Sequence, residues 1–481
     1  MNHHNLFWRG AACALSWLFL AFLFSVSAGV HSEPAKRVVG YDDLPSELRP
    51  WLEQQRIRRD DFAARIAEIN RKTDERELQG EYDHLIFYLL QSSRFTAQPP
   101  IEPALSAYQF VQSLSDAERS RFLAESDGFQ PAGEKISQAV KTRIADFLKA
   151  AKRDSTDERL SYFAGLLAKT ASPELSAARH LQTEYVRAMK FLYQKEFASR
   201  AVKPSEVAAF VASLYQERGH STDTQIEANF ALHTALAALK AQHPETKLNK
   251  VLIVGPGMDF APRTDLIDLF GPQSYQPFAI ADSLLALKLA ETSRLKIHCV
   301  DINDRVLAYL QALGARKEVS LSILSGVKDS AARPLTEDFK DYFRGFGQSI
   351  GVESGLEVPA RFAGHLKKSL RIRPEVVSAV SAGRLNIVTE RYQNSPQYDL
   401  VIVTNVFPYF SAPELLFALT NIQAMTAEGG YLIHNELQTV SSNFVNALGL
   451  PLRQARTVMI ASDSAAPLFD GVAIHQKNPR S

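Results

Sequence analysis

Cysteine is nearly absent from this sequence. Only Cys13 and Cys299 occur among 481 residues, and Cys13 lies in an uncharged leader. A chain without that leader would hold one thiol and no internal disulfide, which excludes a disulfide-stabilised fold. Apolar residues of a predicted strand flank Cys299, and this favours a buried structural thiol over a nucleophile.

An excess of charge of either sign is also absent. Lys and Arg number 54 against 53 Asp and Glu. The summed charge gives no attraction to a phosphate backbone, so we expect no nucleic-acid partner. The sequence also lacks a Walker loop, a Gly-x-Ser-x-Gly elbow, a His-Glu-x-x-His motif and any Cys or His cluster with metal-ligand spacing. We therefore predict no metal site.

A long hydrophobic run is present near the start of the chain. Residues 11–30 carry no charge, and Val26, Ser27 and Ala28 place short side chains where a signal peptidase cuts. This pattern favours a signal peptide at residues 1–28 and an exported protein. The alternative is a membrane anchor, because about twenty apolar residues can span a bilayer and basic residues follow them. The protein would then associate with the membrane through residues 11–30, with its bulk in the cytoplasm.

The rest of the chain divides into two parts by its pattern. The composition, 46% hydrophobic and 22% charged, is that of a globular protein with two or three domains. Residues 44–240 show apolar residues at helical spacing, which predicts an all-helical domain. After His243 and Pro244, short β-branched runs alternate with helical segments. That alternation predicts an α/β domain with a parallel sheet in residues 250–477.

Five of these runs are predicted parallel strands, and two more form a closing antiparallel hairpin. We therefore expect a seven-stranded, Rossmann-like sheet preceded by the helical domain. The predicted strands are residues 250–254, 296–301, 385–389, 399–404 and 430–435, and the hairpin is formed by residues 457–461 and 471–475.

Glycines and acidic residues follow the predicted strands. Gly255 and Gly257 follow the first strand, where missing side chains let a cofactor approach the backbone. Asp301 ends the second strand, and its carboxylate can accept hydrogen bonds from both hydroxyls of a ribose. A competing register would end the second strand at Asp282 and make this residue the ribose acid. Glu390 follows the third predicted strand, so the strand ends together predict a nucleoside site.

This combination resembles the class I S-adenosylmethionine-dependent methyltransferases over residues 250–477. Residues 251–257 look like the family's first motif, which lies under the methionine part of the cofactor. Asp301 matches the ribose-binding acid, and Glu390 lies where a residue near the adenine is common. Residues 399–409 are similar to the fourth motif. The predicted closing hairpin matches the antiparallel last strand that distinguishes this family from dinucleotide-binding dehydrogenases.

The resemblance implies S-adenosylmethionine as cofactor and methyl transfer to an unidentified acceptor. Positioning supplies much of the catalysis in such a transfer, so a dedicated base is often unnecessary. We expect Asn405 beside the cofactor as a binding and catalytic residue, since its amide both donates and accepts hydrogen bonds. Tyr409, His434 and Glu436 are candidates to receive a proton from the acceptor, Tyr409 first among them. The sequence around Asn405 and Tyr409 is also similar to the chemotaxis-receptor methyltransferases in particular.

Two features depart from the family's pattern. Asp259 stands where many members carry the third glycine of the first motif. Asp301 lies about 46 residues beyond Gly255, where a dinucleotide fold places its acid roughly 20 residues on. We therefore expect an insert at residues 260–294, looped out of the sheet, and a second insert at residues 320–383.

Two other functions stay open from the sequence alone. The first is a non-catalytic exported binding protein that keeps the fold, because S-adenosylmethionine is not expected outside the cytoplasm and fold does not imply function. The second is a nicotinamide-dependent oxidoreductase, which is disfavoured because Phe260 replaces the third glycine of Gly-x-Gly-x-x-Gly. Residues 215–223, just ahead of the sheet, predict either a lid over the cofactor or an ordinary turn between helices.

Overall fold

We describe the protein from a computed structural model. The predicted leader, residues 1–28, lies outside the part of the chain that the structure describes. In that part, every helix is too short or too polar to cross a membrane. The described residues are 35–124, 135–170, 176–260, 266–393, 397–437, 440–463 and 467–479.

Helices fill the N-terminal part, as the spacing of apolar residues predicts. They follow a short strand, β1 (Lys36–Val38), and are α1 (Arg49–Gln54), α2 (Phe62–Gln91), α3 (Pro103–Gln112), α4 (Asp116–Ala124), α5 (Gln138–Ala150), α6 (Glu158–Thr170), α7 (Ala177–Glu196), α8 (Val207–Glu217) and α9 (Ile226–Gln242). Several helices begin at a side chain that caps free backbone N–H groups. The Glu102 carboxylate accepts hydrogen bonds from the N–H groups of Ala104 and Leu105, and Ser137 and Ser176 cap α5 and α7.

The central helix of this part is α2, which is 30 residues long. Residues 80–91, its C-terminal segment, are all buried, whereas the preceding turns carry the charged residues Asp74, Glu75, Arg76 and Glu77. The C-terminal segment of α2 therefore lies in the core, and the charged turns before it are available to line a polar site.

Strands and helices alternate in the C-terminal part. The strands are β2 (Lys250–Val254), β3 (Lys296–Asp301), β4 (Ser320–Leu324), β5 (Gly351–Ser354), β6 (Lys367–Ile372), β7 (Val380–Arg384), β8 (Glu390–Tyr392), β9 (Tyr398–Val403), β10 (Thr426–His434), β11 (Leu452–Ala461) and β12 (Leu468–Gln476). The helices between them are α10 (Gln276–Ala286), α11 (Asp304–Ala312), α12 (Glu337–Gly345), α13 (Pro374–Val377), α14 (Ala412–Met425) and α15 (Ser442–Ala447).

Seven strands form one sheet in the order β11-β12-β10-β9-β2-β3-β7. The neighbours from β10 to β7 are parallel, and β12 runs antiparallel to both β10 and β11. Val251, Leu252 and Ile253 at the sheet centre are fully buried, as a parallel strand covered on both faces requires. The predicted Rossmann-like sheet with its closing antiparallel hairpin is confirmed.

The third strand of the sheet lies earlier in the chain than the sequence predicts. Residues 380–384 form it as β7, whereas residues 385–389 are not a strand. Asn386 turns the chain there, because its backbone carbonyl accepts hydrogen bonds from the N–H groups of Thr389 and Glu390. The chain then enters β8, which pairs with β1 instead of the main sheet.

The two expected inserts contain parts of the core fold. Residues 260–294 include α10, which connects β2 to β3, so this segment is not simply looped out. Pro277 in the first turn of α10 favours a helix start, and the competing register that made Asp282 a strand end is wrong. Residues 320–383 hold a three-stranded antiparallel sheet in the order β4-β6-β5, and they also include most of β7 of the main sheet.

The helical part and the sheet share buried contacts. Leu85 and Phe163 belong to the same hydrophobic cluster as Val251 and Phe260, and the rings of Phe163 and Phe260 lie 5.1 Å apart. Burying this apolar surface stabilises the arrangement by roughly 25 cal/mol per Å². The helices therefore hold α2 against the sheet.

Candidate functional site

A cleft lies at the carboxyl ends of β2, β3 and β9. Its empty space is about 1050 Å³, the part open to solvent included. The opposite walls are α2 and a segment between α8 and α9, residues 218–224, which we call the strap. The cleft is lined by five of the residues that the sequence singles out: Gly255, Gly257, Asp301, Asn405 and Tyr409.

The two glycines bring bare backbone to the floor of this cleft. Gly255 has φ +66° and Gly257 has φ +71°, a left-handed conformation that disfavours residues with a side chain. A Cβ atom on Gly255 would lie 2.7 Å from Val406 Cγ2, and one on Gly257 would lie 2.8 Å from the carbonyl oxygen of Thr222. Both backbone conformation and space therefore require glycine here.

Asp301 ends β3 and faces the same cleft. One carboxylate oxygen, Oδ1, accepts a hydrogen bond from the Asn303 N–H at 2.9 Å. Burial raises the pKa of Asp301 to about 6. Glu77 of α2 also lines the cleft, and burial raises its pKa to about 7 although Arg384 acts against the shift. Desolvated carboxylates favour ligands that donate hydrogen bonds, which the two hydroxyls of a ribose do.

Asn405 stands just beyond β9 in an unusual backbone conformation. Its φ is +58°, a left-handed value that asparagine tolerates better than most residues. Its N–H donates to Asn435 Oδ1 at 2.9 Å, and Asn435 Nδ2 donates to Asn405 Oδ1 at 3.0 Å. In the described residues, Asn405 Nδ2 makes no hydrogen bond. This amide nitrogen can therefore donate to a ligand.

Tyr409 lies in the short 3-10 helix Phe407–Tyr409 and connects the floor to the walls. Its hydroxyl accepts a hydrogen bond from the Ser221 N–H at 3.3 Å. Arg76 of α2 donates to the Tyr409 carbonyl at 3.0 Å and to the Tyr215 carbonyl at 2.8 Å. Arg76 therefore holds the loop after β9 against α8.

His220 of the strap lines the cleft beside Tyr409, their ring centroids 5.1 Å apart. Burial, with the positive charges of Arg76 and Arg218, lowers the pKa of His220 well below its ordinary value. The imidazole is therefore neutral at physiological pH. Its ring nitrogens form no hydrogen bond with the described residues, so they are available to a ligand.

A buried polar network fixes the strap to α2 and α11. Arg305 at the start of α11 donates to Glu81 Oε1 at 2.8 Å and lies 3.1 Å from His84 Nδ1. The other ring nitrogen of His84 lies 3.3 Å from Ser221 Oγ and 3.4 Å from the Thr222 N–H. The strap is thus a packed wall of the cleft, and any lid motion stays a prediction.

Some sequence-predicted residues lie elsewhere. Glu390 is in β8 and does not line the cleft, because the chain turns at Asn386 before it. Asp282 is on α10, where its carboxylate accepts a hydrogen bond from the Ser349 N–H at 2.9 Å. His434 and Glu436 are buried beneath the cleft floor and do not line it. Asp301 and Asn405 therefore remain candidates for binding the cofactor, whereas Glu390 does not.

Sequence reasoning missed the contribution of α2. Thr73, Arg76 and Glu77 line the cleft, yet in the sequence they read as part of an ordinary charged helix face. Gly80 was the available signal, because a glycine inside a helical pattern usually has a packing reason. A Cβ atom there would lie 1.8 Å from the carbonyl oxygen of His220.

Among the residues that the structure describes, no group of three His, Cys, Asp or Glu side chains could hold a metal ion.

Comparison with known proteins identifies similar solved structures only. No family model and no curated protein matches the sequence. The N-methyltransferase NodS from Bradyrhizobium japonicum WM9 is 12% identical, with 52% of this chain and 95% of NodS covered at a TM-score of 0.26. The magnesium protoporphyrin IX methyltransferase ChlM from Synechocystis PCC 6803 with bound SAH is 8% identical, with coverages of 60% and 97% and a TM-score of 0.25.

The CurJ carbon methyltransferase overlaps more of the chain. It is 13% identical, with 90% of this chain and 99% of CurJ covered at a TM-score of 0.29. The order and direction of the seven strands carry the fold assignment, and these overlaps do not. The described residues have a class I methyltransferase-like fold.

Proposed function

We propose that the protein transfers a methyl group from S-adenosylmethionine to a small-molecule acceptor. One observation carries this proposal: two left-handed glycines and a buried acid line one cleft at the carboxyl ends of adjacent parallel strands. Ligands of open α/β sheets bind at this edge. Gly255 and Gly257 leave room for the cofactor's methionine part, and Asp301 can accept hydrogen bonds from its ribose.

The cofactor supplies a methyl group already activated on a sulfonium, so the chain's own residues chiefly bind and orient. Holding an acceptor in line with that methyl group accounts for much of the rate of such a reaction. The amide nitrogen of Asn405 can donate a hydrogen bond to the cofactor and so fix the direction of its methyl group. Tyr409 lines the cleft, and the neutral imidazole of His220 beside it can accept a proton that the acceptor loses.

Calorimetric titration of the full chain with S-adenosylmethionine and S-adenosylhomocysteine tests this function. We expect micromolar binding, roughly −8 kcal/mol, that is lost in Asp301→Ala. The matched control is Asp341→Ala, because that carboxylate is 66% exposed on α12 and does not line the cleft. Failure of the wild-type chain to bind either compound would overturn the proposal.

Two further measurements, of NADH binding and of turnover, separate the methyltransferase from the alternative functions. NADH binding in place of S-adenosylmethionine would support the oxidoreductase. Cofactor binding without turnover of any acceptor would support a non-catalytic binding protein. Cofactor binding would also favour an anchored chain with its bulk in the cytoplasm over an exported one, because S-adenosylmethionine is made and kept inside cells.

A further inference from the structure

Glu81 of α2 is a buried carboxylate whose two oxygens both accept hydrogen bonds. Its Oε1 accepts from Asn303 Nδ2 at 2.5 Å and from the Arg305 guanidinium at 2.8 Å. Its Oε2 accepts from the Tyr162 hydroxyl at 3.0 Å. Burial tends to raise the pKa of Glu81, but the positive charge of Arg305 and these hydrogen bonds lower it below its ordinary value. Glu81 is therefore ionised, and it does not itself line the cleft.

Asn303 joins this carboxylate to Asp301. Its Nδ2 donates to Glu81, and its backbone N–H donates to Asp301 Oδ1 at 2.9 Å. Its Oδ1 caps α11 by accepting hydrogen bonds from the N–H groups of Arg305 and Val306. Asn303 is only 3% exposed. A displacement of its side chain would therefore also move the N–H that orients the Asp301 carboxylate.

Arg305 joins the same carboxylate to the glycine loop after β2. The guanidinium also donates to Thr222 Oγ1 of the strap at 3.2 Å, and the Thr222 carbonyl accepts from the Met258 N–H at 2.6 Å. This carbonyl is also the atom that leaves no room for a side chain on Gly257. Glu81 is thus connected both to the turn after β3 and to the glycine loop.

We propose that Glu81 is a positioning residue for the cofactor. Through Asn303 it fixes the direction of the Asp301 carboxylate, and through Arg305 and the strap it fixes the glycine loop. The proposal rests on the proposed function, because the ligand that it concerns is S-adenosylmethionine. A site that is already ordered loses less conformational entropy when its ligand binds. The helical part therefore raises cofactor affinity through a residue that does not touch the cofactor.

Calorimetric titration of full-chain variants with S-adenosylhomocysteine tests the proposal. Asn303→Ser is the main variant, because serine caps a helix about as well as asparagine but has no amide to donate to Glu81. We expect it to bind the compound about tenfold or more weakly than the wild type, since the lost hydrogen bond has a charged acceptor. Thr336→Ala is the matched control. It removes the cap of α12, which does not line the cleft, so it should lower the thermal unfolding temperature without changing the affinity.

Variants of Glu81 itself give a second comparison. Glu81→Ala removes the acceptor, whereas Glu81→Gln keeps an oxygen that can accept from Asn303 and should therefore retain more affinity. Glu81→Ala also leaves the buried Arg305 without its carboxylate, which is costly to stability. If that variant does not fold, Asn303→Ser and Glu81→Gln decide the question.

The pH dependence of binding provides a readout that loss of stability would not move. The Asn303 N–H lowers the pKa of Asp301. Release of this N–H should raise that pKa, so binding by Asn303→Ser should begin to weaken at a higher pH than binding by the wild type. Arg305, Arg384 and Glu77 also face Asp301. Their charges are the same in both chains, so the difference between the two profiles reports the turn after β3.

A double-mutant cycle completes the test. Glu81→Ala should cost less affinity in the Asn303→Ser chain than in the wild type, because the link through Asn303 is already broken. Wild-type affinity and an unshifted pH profile in Asn303→Ser would overturn the proposal, as would fully additive losses in the cycle.

Urea unfolding of the same four chains without ligand separates this proposal from the proposed function. We expect the double variant to lose less stability than the sum of the two single losses. Wild-type binding of neither S-adenosylmethionine nor S-adenosylhomocysteine would overturn the methyltransferase. The unfolding cycle would then still decide whether Glu81 fixes the turn after β3, and additive losses there would show that it does not.

Discussion

Asn405 and Asn435 exchange two hydrogen bonds across the ends of the neighbouring strands β9 and β10. The Asn405 N–H donates to Asn435 Oδ1 at 2.9 Å, and Asn435 Nδ2 donates back to Asn405 Oδ1 at 3.0 Å. The pair holds Asn405 at φ +58°. The strained residue therefore presents its remaining amide N–H groups to the cleft in a fixed direction.

This pair yields the first prediction. Asn405→Gly keeps the left-handed backbone without strain, so its stability should stay within about 1 kcal/mol of the wild type. Asn405→Ala adds strain and should lose about 1–2 kcal/mol. Both variants lose the side-chain amide and should bind S-adenosylhomocysteine more weakly. Denaturant unfolding and calorimetry measure the two effects. Unchanged affinity in the glycine variant would show that the amide does not contact the cofactor.

The second prediction concerns the cleft floor. Gly257→Ala combines a positive φ with a Cβ atom 2.8 Å from the Thr222 carbonyl oxygen. We expect a loss of about 1–3 kcal/mol in unfolding free energy and a large loss of cofactor affinity. Gly271→Ala is the matched control, since nothing lies within 4 Å of its Cβ position. Equal stability of the two variants would contradict the geometry.

The third prediction concerns the contact between α2 and the strap. Gly80→Ala would place a Cβ atom 1.8 Å from the His220 carbonyl oxygen. The strap must then move, and Ser221 should lose its contact with Tyr409. Gly165→Ala in α6 meets nothing within 4 Å and should stabilise the chain by up to about 1 kcal/mol. Opposite signs of the two changes in thermal unfolding temperature are the expected result.

The sheet could be predicted because its signals are local. The strand β2 matches its predicted limits because Val251 to Val254 is a continuous apolar run ended by Gly255. The limits of β3 were equally clear, since Asp301 ends an apolar run. The strand β7 was misplaced by five residues, because Leu385, Ile387 and Val388 are also apolar and buried although they do not belong to a strand. Burial alone does not distinguish a strand from a buried turn.

The walls of the site could not be predicted in the same way. Glu77 and His220 come from the helical part and reach the cleft only through long-range packing of α2 and the strap against the sheet. Their sequence neighbours are ordinary for helix surfaces and turns. Asp259 was recognised only as a departure from a glycine motif, whereas in the structure it lines a cavity together with Glu227, which precedes the sheet.

The fourth prediction is a pH dependence of cofactor binding. In the proposed complex, the ionised form of Asp301 accepts hydrogen bonds from both ribose hydroxyls, and burial raises the pKa of Asp301 to about 6. Binding of S-adenosylhomocysteine should therefore weaken as the pH falls below about 6, by up to tenfold per pH unit. Asp301→Asn should bind weakly and lose this dependence. A wild-type affinity that is constant between about pH 5 and 8 would argue against ionised Asp301 as the ribose acid.

The last prediction concerns stability and arises from the buried groups beneath the cleft floor. His475 Nδ1 donates to the Leu450 carbonyl at 2.9 Å, so its Nε2 accepts from His434 Nε2 at 3.0 Å. Burial lowers the pKa of His434 to about 3, which keeps the ring neutral. Glu436 Oε2 lies 3.9 Å from His434 Nδ1, and burial raises the pKa of Glu436 to about 8.

A carboxyl group whose pKa is raised by folding contributes stability that is fully present below its unfolded pKa of about 4.5 and is lost as the pH rises through about 8. Glu436→Gln cannot ionise and should escape this loss. It should match the wild type near pH 4 and exceed its unfolding free energy by at least about 1 kcal/mol near pH 8. Glu337→Gln on the exposed face of α12 should show no such divergence. Urea unfolding across this pH range measures the difference, and parallel curves for wild type and Glu436→Gln would mean that Glu436 is ionised in the folded protein.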